Sequence, residues 1–225
     1  MDPLKTLSFD LRLKLPNHAL FVGASMSGKT RLVIHLLQNI DILCPVPKTI
    51  LFLYDQYQDI YEEIKRNLWK KGVEMSLQEG ASIKLENIEK RQHQSLVIID
   101  DASEETASSM DIAKITTNGR HKNLSIWLIW HSLYSKHAAS RLITQNISYL
   151  FFLPSVRLVS QIHTLDSQLR CKGALVSAYN LAIEDDEAEH KYLLLDLAPS
   201  TPSTFRLRAR ITAVLQDQPQ HLFIV

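Results

Sequence analysis

The sequence predicts a three-layer α/β fold, in which a mostly parallel central sheet carries helices on both faces. Apolar segments alternate with amphipathic ones along most of the chain. Several segments are apolar throughout, such as residues 49–54 (TILFLY), which is typical of parallel strands buried on both faces. In addition, the apolar residues 20–22 lead through a glycine-containing loop into an amphipathic segment, the pattern of a strand–loop–helix unit.

The composition is that of one globular domain. Of the 225 residues, 45% are hydrophobic and 22% are charged, so a sizeable core can form. A net charge of +1 gives no bulk electrostatic preference for nucleic acid. Cys44 and Cys171 are too few for a disulfide framework and indicate reduced thiols. With no secretory signal and no apolar run of membrane-spanning length, we expect an intracellular protein that is neither secreted nor membrane-bound.

The expected domain covers residues 1–225, with a short N-terminal strand at 4–15, a core at 18–197 and a C-terminal strand region at 205–225. We expect strands at 4–15, 20–22, 49–54, 95–99, 124–130, 148–153, 192–197 and 205–211. Residues 81–85 are a candidate for one more short strand. We expect helices after the glycine loop up to residue 40, then at 57–69, 104–118, 138–144, 156–169 and 174–183. The last two strands are a candidate hairpin, and the acidic residues 184–187 are expected to form a solvated loop.

The glycine loop is a phosphate-binding motif. Residues 23–30 (GASMSGKT) fit the P-loop pattern G-x-x-x-x-G-K-[ST]. Gly23 and Gly28 permit the close backbone approach that lets N–H groups face a phosphate. Lys29 supplies a positive charge for the β- and γ-phosphates, and the following helix directs its positive end at the same anion. The predicted nucleotide-binding residues are Gly23, Ala24, Ser25, Met26, Ser27, Gly28, Lys29, Thr30, Arg31 and His131.

Two aspartates at the end of an apolar strand complete a candidate nucleotide-hydrolysis site. Asp100 and Asp101 follow the segment SLVII, and ligands bind at the carboxyl ends of strands in open α/β sheets. Thr30 and Asp100 offer the oxygen ligands that Mg²⁺ prefers. Asp101 is placed to orient or deprotonate the attacking water, with Glu104 and Glu105 as rivals. The alternative for the aspartates is helix capping.

Four further residues are candidates for contact with the triphosphate. His131 ends the strand at 124–130, from where it could reach the γ-phosphate or the attacking water; local hydrogen bonding is the alternative. Arg120, Arg141 and Arg157 are candidate arginine fingers, which stabilise transition-state charge and can act from a neighbouring subunit. The residue pattern alone does not choose among them.

The order of motifs resembles that of the FtsK–HerA superfamily, and more closely the genome-packaging ATPases of large DNA viruses and of Polinton (Maverick) transposons. The segments that carry the resemblance are GASMSGKT, LVIIDDAS, GRHKNLSIWLIWHSLYSK, SRLITQNISYLFFLPSVRLVSQI, HKYLLLDLAPST and FRLRARI. They span about residues 18–211. The resemblance implies a P-loop NTPase fold, with ATP and Mg²⁺ as cofactors.

The resemblance also implies roles for individual residues. Asp100 would hold Mg²⁺, Asp101 would be the catalytic acid, and Arg141 and Arg157 match positions where relatives carry arginines. The chain departs from the family where it has Trp130-His131 in place of the common Thr-Gln and Leu158 in place of a frequent acid.

Two functions are expected from these features. The first is an ATP-hydrolysing motor subunit that forms a ring with copies of itself, with a hexamer as one option, and translocates double-stranded DNA for viral or virus-like packaging. Capsid or portal proteins are candidate partners, and the host nucleus or a viral assembly site is the expected location. The alternative is a non-motor nucleotide-binding switch or scaffold derived from such an ATPase, which the altered residue at His131 motivates.

Overall fold

The structure is a computed structural model and describes residues 9–80, 94–100, 109–134, 136–216 and 220–223. The strands are β1 (Leu13–Lys14), β2 (Ala19–Val22), β3 (Leu43–Cys44), β4 (Thr49–Tyr54), β5 (Glu74–Glu79), β6 (Ser95–Ile99), β7 (Leu124–Trp130), β8 (Tyr149–Phe152), β9 (Leu193–Asp196), β10 (Leu207–Ala209) and β11 (His221–Phe223). The α-helices are α1 (Lys29–Gln38), α2 (Ile60–Lys70), α3 (Met110–Asn118), α4 (Ala138–Gln145), α5 (Leu158–Leu169) and α6 (Ala174–Glu184).

Nine of these strands form one sheet in the order β11-β10-β9-β8-β2-β7-β6-β4-β5. The six strands from β8 to β5 are parallel, and β9, β10 and β11 extend the sheet in antiparallel pairings. The side chains of the four central strands β8, β2, β7 and β6 are all buried, because helices cover both faces of the sheet. The prediction of a mostly parallel sheet is confirmed.

Each face of the sheet has its own hydrophobic core. Helices α1 and α2 pack on one face, where Leu32, Leu36 and Ile64 join the core. Helices α3 to α6 pack on the other face, where Ile143 and Ile162 join the core. This is the predicted three-layer arrangement. No helix among the described residues has both the length and the apolar character needed to cross a bilayer.

The predicted N-terminal strand at 4–15 is too long. Of its described residues, only Leu13–Lys14 form a strand, and they pair with Leu43–Cys44 in a separate two-stranded sheet. Upstream, the carboxylate of Asp10 accepts hydrogen bonds from the Arg12 backbone N–H and guanidinium, so the chain turns locally. The alternation of apolar and charged residues at 13–15 reflects burial, because Leu13 and Leu15 are buried while Lys14 is partly exposed.

The structure also differs from expectation, or lies partly outside the described residues, in three other segments. Strand β5 was not predicted, because an edge strand with the sequence EMSLQE carries little apolar signal; the suggested strand at 81–85 lies outside the described residues. Helix α3 begins at Met110, and the part of its predicted range before residue 109 is likewise outside them. The solvated-loop prediction is wrong for Asp185, whose carboxylate accepts hydrogen bonds from the Arg210 guanidinium, at 2.7 Å from Nε.

Candidate nucleotide-binding site

The phosphate loop lies between the end of β2 and the start of α1, and two glycines determine its path. At Gly23 a Cβ atom would lie 2.5 Å from Ser27 Oγ and 2.9 Å from Leu153 Cβ, so only glycine fits this close approach. Gly28 has a φ of 92°, a left-handed conformation that favours glycine. Met26 at the loop tip is fully exposed. The loop therefore packs tightly at its base and is open at its tip.

Lys29 crosses the base of this loop. Its Nζ donates hydrogen bonds to the carbonyl oxygens of Gly23 at 3.0 Å and Ala24 at 2.8 Å. The same Nζ lies 3.3 Å from Nδ1 of His131, and Lys29 is buried. Burying a charged amine is costly unless polar partners surround it. The carbonyls and the imidazole thus hold a positive charge at the base of the loop.

A chain of hydrogen bonds connects α1, the acid strand and α2. The Thr30 hydroxyl donates to Asp100 Oδ1 at 2.9 Å, and the Tyr61 hydroxyl donates to Asp100 Oδ2 at 3.0 Å. The pKa of Tyr61 is raised well above its usual value by burial, by the Asp100 charge and by this hydrogen bond. Tyr61 therefore remains a donor. The paired oxygens of Thr30 and Asp100 could hold a divalent cation.

The sequence predicts only that Tyr61 lies in the helix at 57–69. Its ring does pack in the core, with its centroid 4.7 Å from that of Phe52 and 5.6 Å from that of Tyr54. The hydroxyl contact with Asp100 spans 39 residues of sequence. No local pattern signals such a contact.

The sheet order places these groups together. Strand β7 lies between β2 and β6, so His131 after β7 falls between the phosphate loop and Asp100. A cavity of about 230 Å³ opens here. It is lined by Ser25, Met26, Lys29, Thr30, Asp55, Gln56, Gln58, Asp100, Ile129 and His131.

Asp55, Gln56 and Gln58 were not singled out from the sequence. A usable signal was present, since they follow β4 at the same carboxyl edge of the sheet as Asp100.

Of the other predicted residues, some lie outside the part of the chain that the structure describes, and the three described arginines do not line the cavity. Asp101, Glu104 and Glu105 are outside the described residues, as is the side chain of Arg120. Arg31 is exposed on the first turn of α1. Arg141 on α4 and Arg157 just before α5 are also exposed, and neither lines the cavity. The Asp100 carboxylate accepts from Thr30 and Tyr61.

The fold and the loop define the class: a P-loop NTPase. The chain belongs to the poxvirus A32 protein family, whose match covers residues 7–195. This range includes the phosphate loop, Asp100 and His131. No curated protein matches the chain by sequence.

The fold is similar to that of a viral NTPase of known structure. The genome packaging NTPase B204 from Sulfolobus turreted icosahedral virus 2, in complex with ATP-gammaS, matches with a TM-score of 0.51 and 12% identity over 92% of this chain and 96% of that one. The Legionella pneumophila ATPase DotB matches with a TM-score of 0.41 and 13% identity over 60% of this chain and 40% of that one. At this identity the first match supports the three-layer fold over nearly the whole chain.

Proposed function

We propose that this protein is an ATP-hydrolysing motor subunit that translocates double-stranded DNA during viral genome packaging. The observation that carries the proposal is the meeting of Lys29, the Thr30–Asp100 pair and His131 around one cavity, in a chain of the poxvirus A32 family. The likeness of its fold to a viral packaging NTPase supports the same reading.

Each group in the cavity has a role in phosphoryl transfer. The loop N–H groups and Lys29 would bind the phosphates, and Thr30 with Asp100 would hold Mg²⁺, which would supply positive charge against the phosphate oxygens. Tyr61 keeps the Asp100 carboxylate oriented. His131, beside Lys29, contacts the γ-phosphate or the attacking water. Asp101, next to Asp100 in sequence, orients or deprotonates that water.

The proposed motor forms a ring with copies of itself. Arg141 and Arg157 are exposed and outside their own cavity, as expected for arginines that complete the site of a neighbouring subunit. Helix α5 begins directly after Arg157. A hydrogen bond connects this helix to the residues that follow β7, because the Leu133 N–H donates to Gln161 Oε1 at 2.7 Å. Contacts to DNA would be to phosphates and independent of sequence. Capsid or portal proteins, and the host nucleus or an assembly site, are the expected surroundings.

Steady-state ATP hydrolysis with and without double-stranded DNA tests the proposal. We expect DNA-stimulated turnover that Lys29→Ala lowers at least about 100-fold, since it removes a charge aimed at the transition state. Lys114→Ala is the matched control, because Lys114 is an exposed lysine whose partner among the described residues is nearby Asp111. Turnover that is equal in Lys29→Ala and Lys114→Ala would refute the assignment of this site.

One observation favours the alternative of a nucleotide-binding switch or scaffold. Where relatives commonly carry an amide, this chain places His131 3.3 Å from Lys29 Nζ. A switch would bind ATP and lose that binding in Lys29→Ala, yet show negligible turnover with DNA, even in fractions that form rings. The motor predicts that Arg141→Ala or Arg157→Ala lowers turnover while nucleotide affinity is kept.

A further inference from the structure

A second polar cluster lies away from the nucleotide cavity, at the other end of α1. His35, near the end of that helix, meets Glu189 and His190 from the segment between α6 and β9. One potential ligand atom from each residue lies within 4.8 Å of the other two. The cluster opens into a separate cavity of about 160 Å³. From this geometry we propose that His35, Glu189 and His190 form a binding site for a divalent transition-metal ion, with Zn²⁺ as the expected occupant.

The donor atoms converge around the Glu189 carboxylate. His35 Nδ1 lies 3.8 Å from one of its oxygens, and His190 Nε2 lies 3.8 Å from the other. Ligand atoms around a tetrahedral ion with bonds of about 2.0–2.1 Å are roughly 3.3 Å apart. The Glu189 side chain is 78% exposed and the imidazoles are mostly buried. The exposed carboxylate can therefore move to shorten its distance to each imidazole nitrogen.

The second nitrogen of His35 supports metal binding. His35 Nε2 lies 3.0 Å from the hydroxyl oxygen of Thr212. Metal-bound histidines almost always donate their other ring N–H to an oxygen, which fixes the ring and the tautomer. A proton on Nε2 directed at Thr212 leaves the lone pair of Nδ1 facing Glu189, where a cation would receive it.

The surroundings favour neutral imidazoles. Burial lowers the pKa of His35, and burial together with His35 and Arg31 lowers the pKa of His190, while Glu189 opposes both shifts. Arg210 also lines the cavity, but it pairs with Asp185 and Glu187. These two acidic partners therefore offset most of the positive charge of Arg210 next to the cluster.

The donor set selects the class of ion. Two imidazole nitrogens and one carboxylate match zinc sites that keep a fourth position for water, whereas Mg²⁺ and Ca²⁺ prefer oxygen ligands throughout. A bound ion would join α1, whose first turn carries Lys29 and Thr30, to the segment that leads into β9. It would therefore fix the far end of the helix that begins at the phosphate loop.

Equilibrium dialysis of the tag-free full-length chain with Zn²⁺ tests this site, without nucleotide and with a non-chelating reductant that keeps Cys44 and Cys171 reduced. We expect one equivalent of Zn²⁺ to bind, and Glu189→Gln to weaken binding at least tenfold. Glu189→Gln is the decisive variant, because an exposed isosteric change leaves the fold intact. His163→Ala is the matched control, since His163 is an exposed histidine on α5.

Two further measurements complete the test. Zn²⁺ at ten times its Kd should raise the Tm of the wild type by about 3–6 °C, with a smaller rise in Glu189→Gln. Bound Co²⁺ should give the intense visible absorption of a tetrahedral site. The proposal is overturned if binding does not saturate, if Glu189→Gln binds as tightly as wild type, or if Asp100→Asn rather than Glu189→Gln abolishes binding. The last result would place the ion in the nucleotide cavity.

Discussion

Replacing Tyr61 by phenylalanine removes one atom from the nucleotide site and leaves the core around it almost unchanged. The hydroxyl donates to Asp100 Oδ2 at 3.0 Å. The phenylalanine ring would keep the packing against Phe52 and Tyr54. The variant therefore isolates the contribution of a single hydrogen bond to a buried carboxylate.

The size of the effect follows from the charge and burial of the acceptor. A hydrogen bond to a charged group contributes about 1.5–3 kcal/mol, and leaving such an acceptor unsatisfied carries a similar cost. For a domain of this length, we expect a Tm lower by about 3–10 °C. Loss of a group that orients a metal ligand typically weakens metal binding by about 10–100-fold. The Mg²⁺ concentration for half-maximal nucleotide hydrolysis should rise by that factor.

Tyr57→Phe is the matched control. Tyr57 belongs to the same aromatic cluster, with its ring centroid 6.1 Å from that of Tyr61, but it is 50% exposed, so water can replace its hydroxyl contacts. Thermal denaturation and a Mg²⁺ titration of hydrolysis are measured for both variants. The reasoning fails if Tyr61→Phe matches Tyr57→Phe in both Tm and Mg²⁺ dependence, because Asp100 would then not depend on the Tyr61 hydroxyl.

Two other perturbations have definite expected outcomes. Gly23→Ala should lower the free energy of unfolding by about 1–3 kcal/mol, because the added Cβ meets the fixed Leu153 Cβ at 2.9 Å, and it should weaken ATP binding in a nucleotide titration; wild-type affinity would contradict this. Asp166→Ala should cost about 1–2 kcal/mol in chemical denaturation, since its buried carboxylate accepts from the N–H groups of Gly173 at 2.8 Å and Leu175 at 2.9 Å at the start of α6. Its KM for ATP should be unchanged, and a raised KM would mean that α6 influences the nucleotide cavity.

Local patterns were sufficient for most of the core. The strands at Thr49–Tyr54 and Leu124–Trp130 were predicted with their observed bounds, because continuous apolar runs of this length are characteristic of buried parallel strands. The phosphate loop was equally clear, since its glycines and Lys29 meet a strict spacing. In these segments the information is contained within a few consecutive residues.

The features that sequence reasoning missed depend on distant contacts or on edges. Among the described strands, β5 (Glu74–Glu79) pairs only with β4 at the edge of the sheet, so burial imposes little apolar pattern on it. Asp185 is part of an acidic run in the sequence, and its contact with Arg210, 25 residues away, helps to remove it from solvent. The Tyr61–Asp100 and His35–Glu189 contacts likewise join separate elements. Such pairings are set by the packing of the whole domain.

Strand β7 acts as a spacer with a fixed width. Neighbouring strands are about 4.8 Å apart, so β7 keeps the backbones of β2 and β6 roughly 10 Å apart. Backbone hydrogen bonds set this spacing, so it does not depend on which side chains β7 carries. The register of β7 then decides what fills the gap. A one-residue insertion would reverse the facing of its side chains, so that an indole, Trp130, would replace the imidazole of His131 beside Lys29.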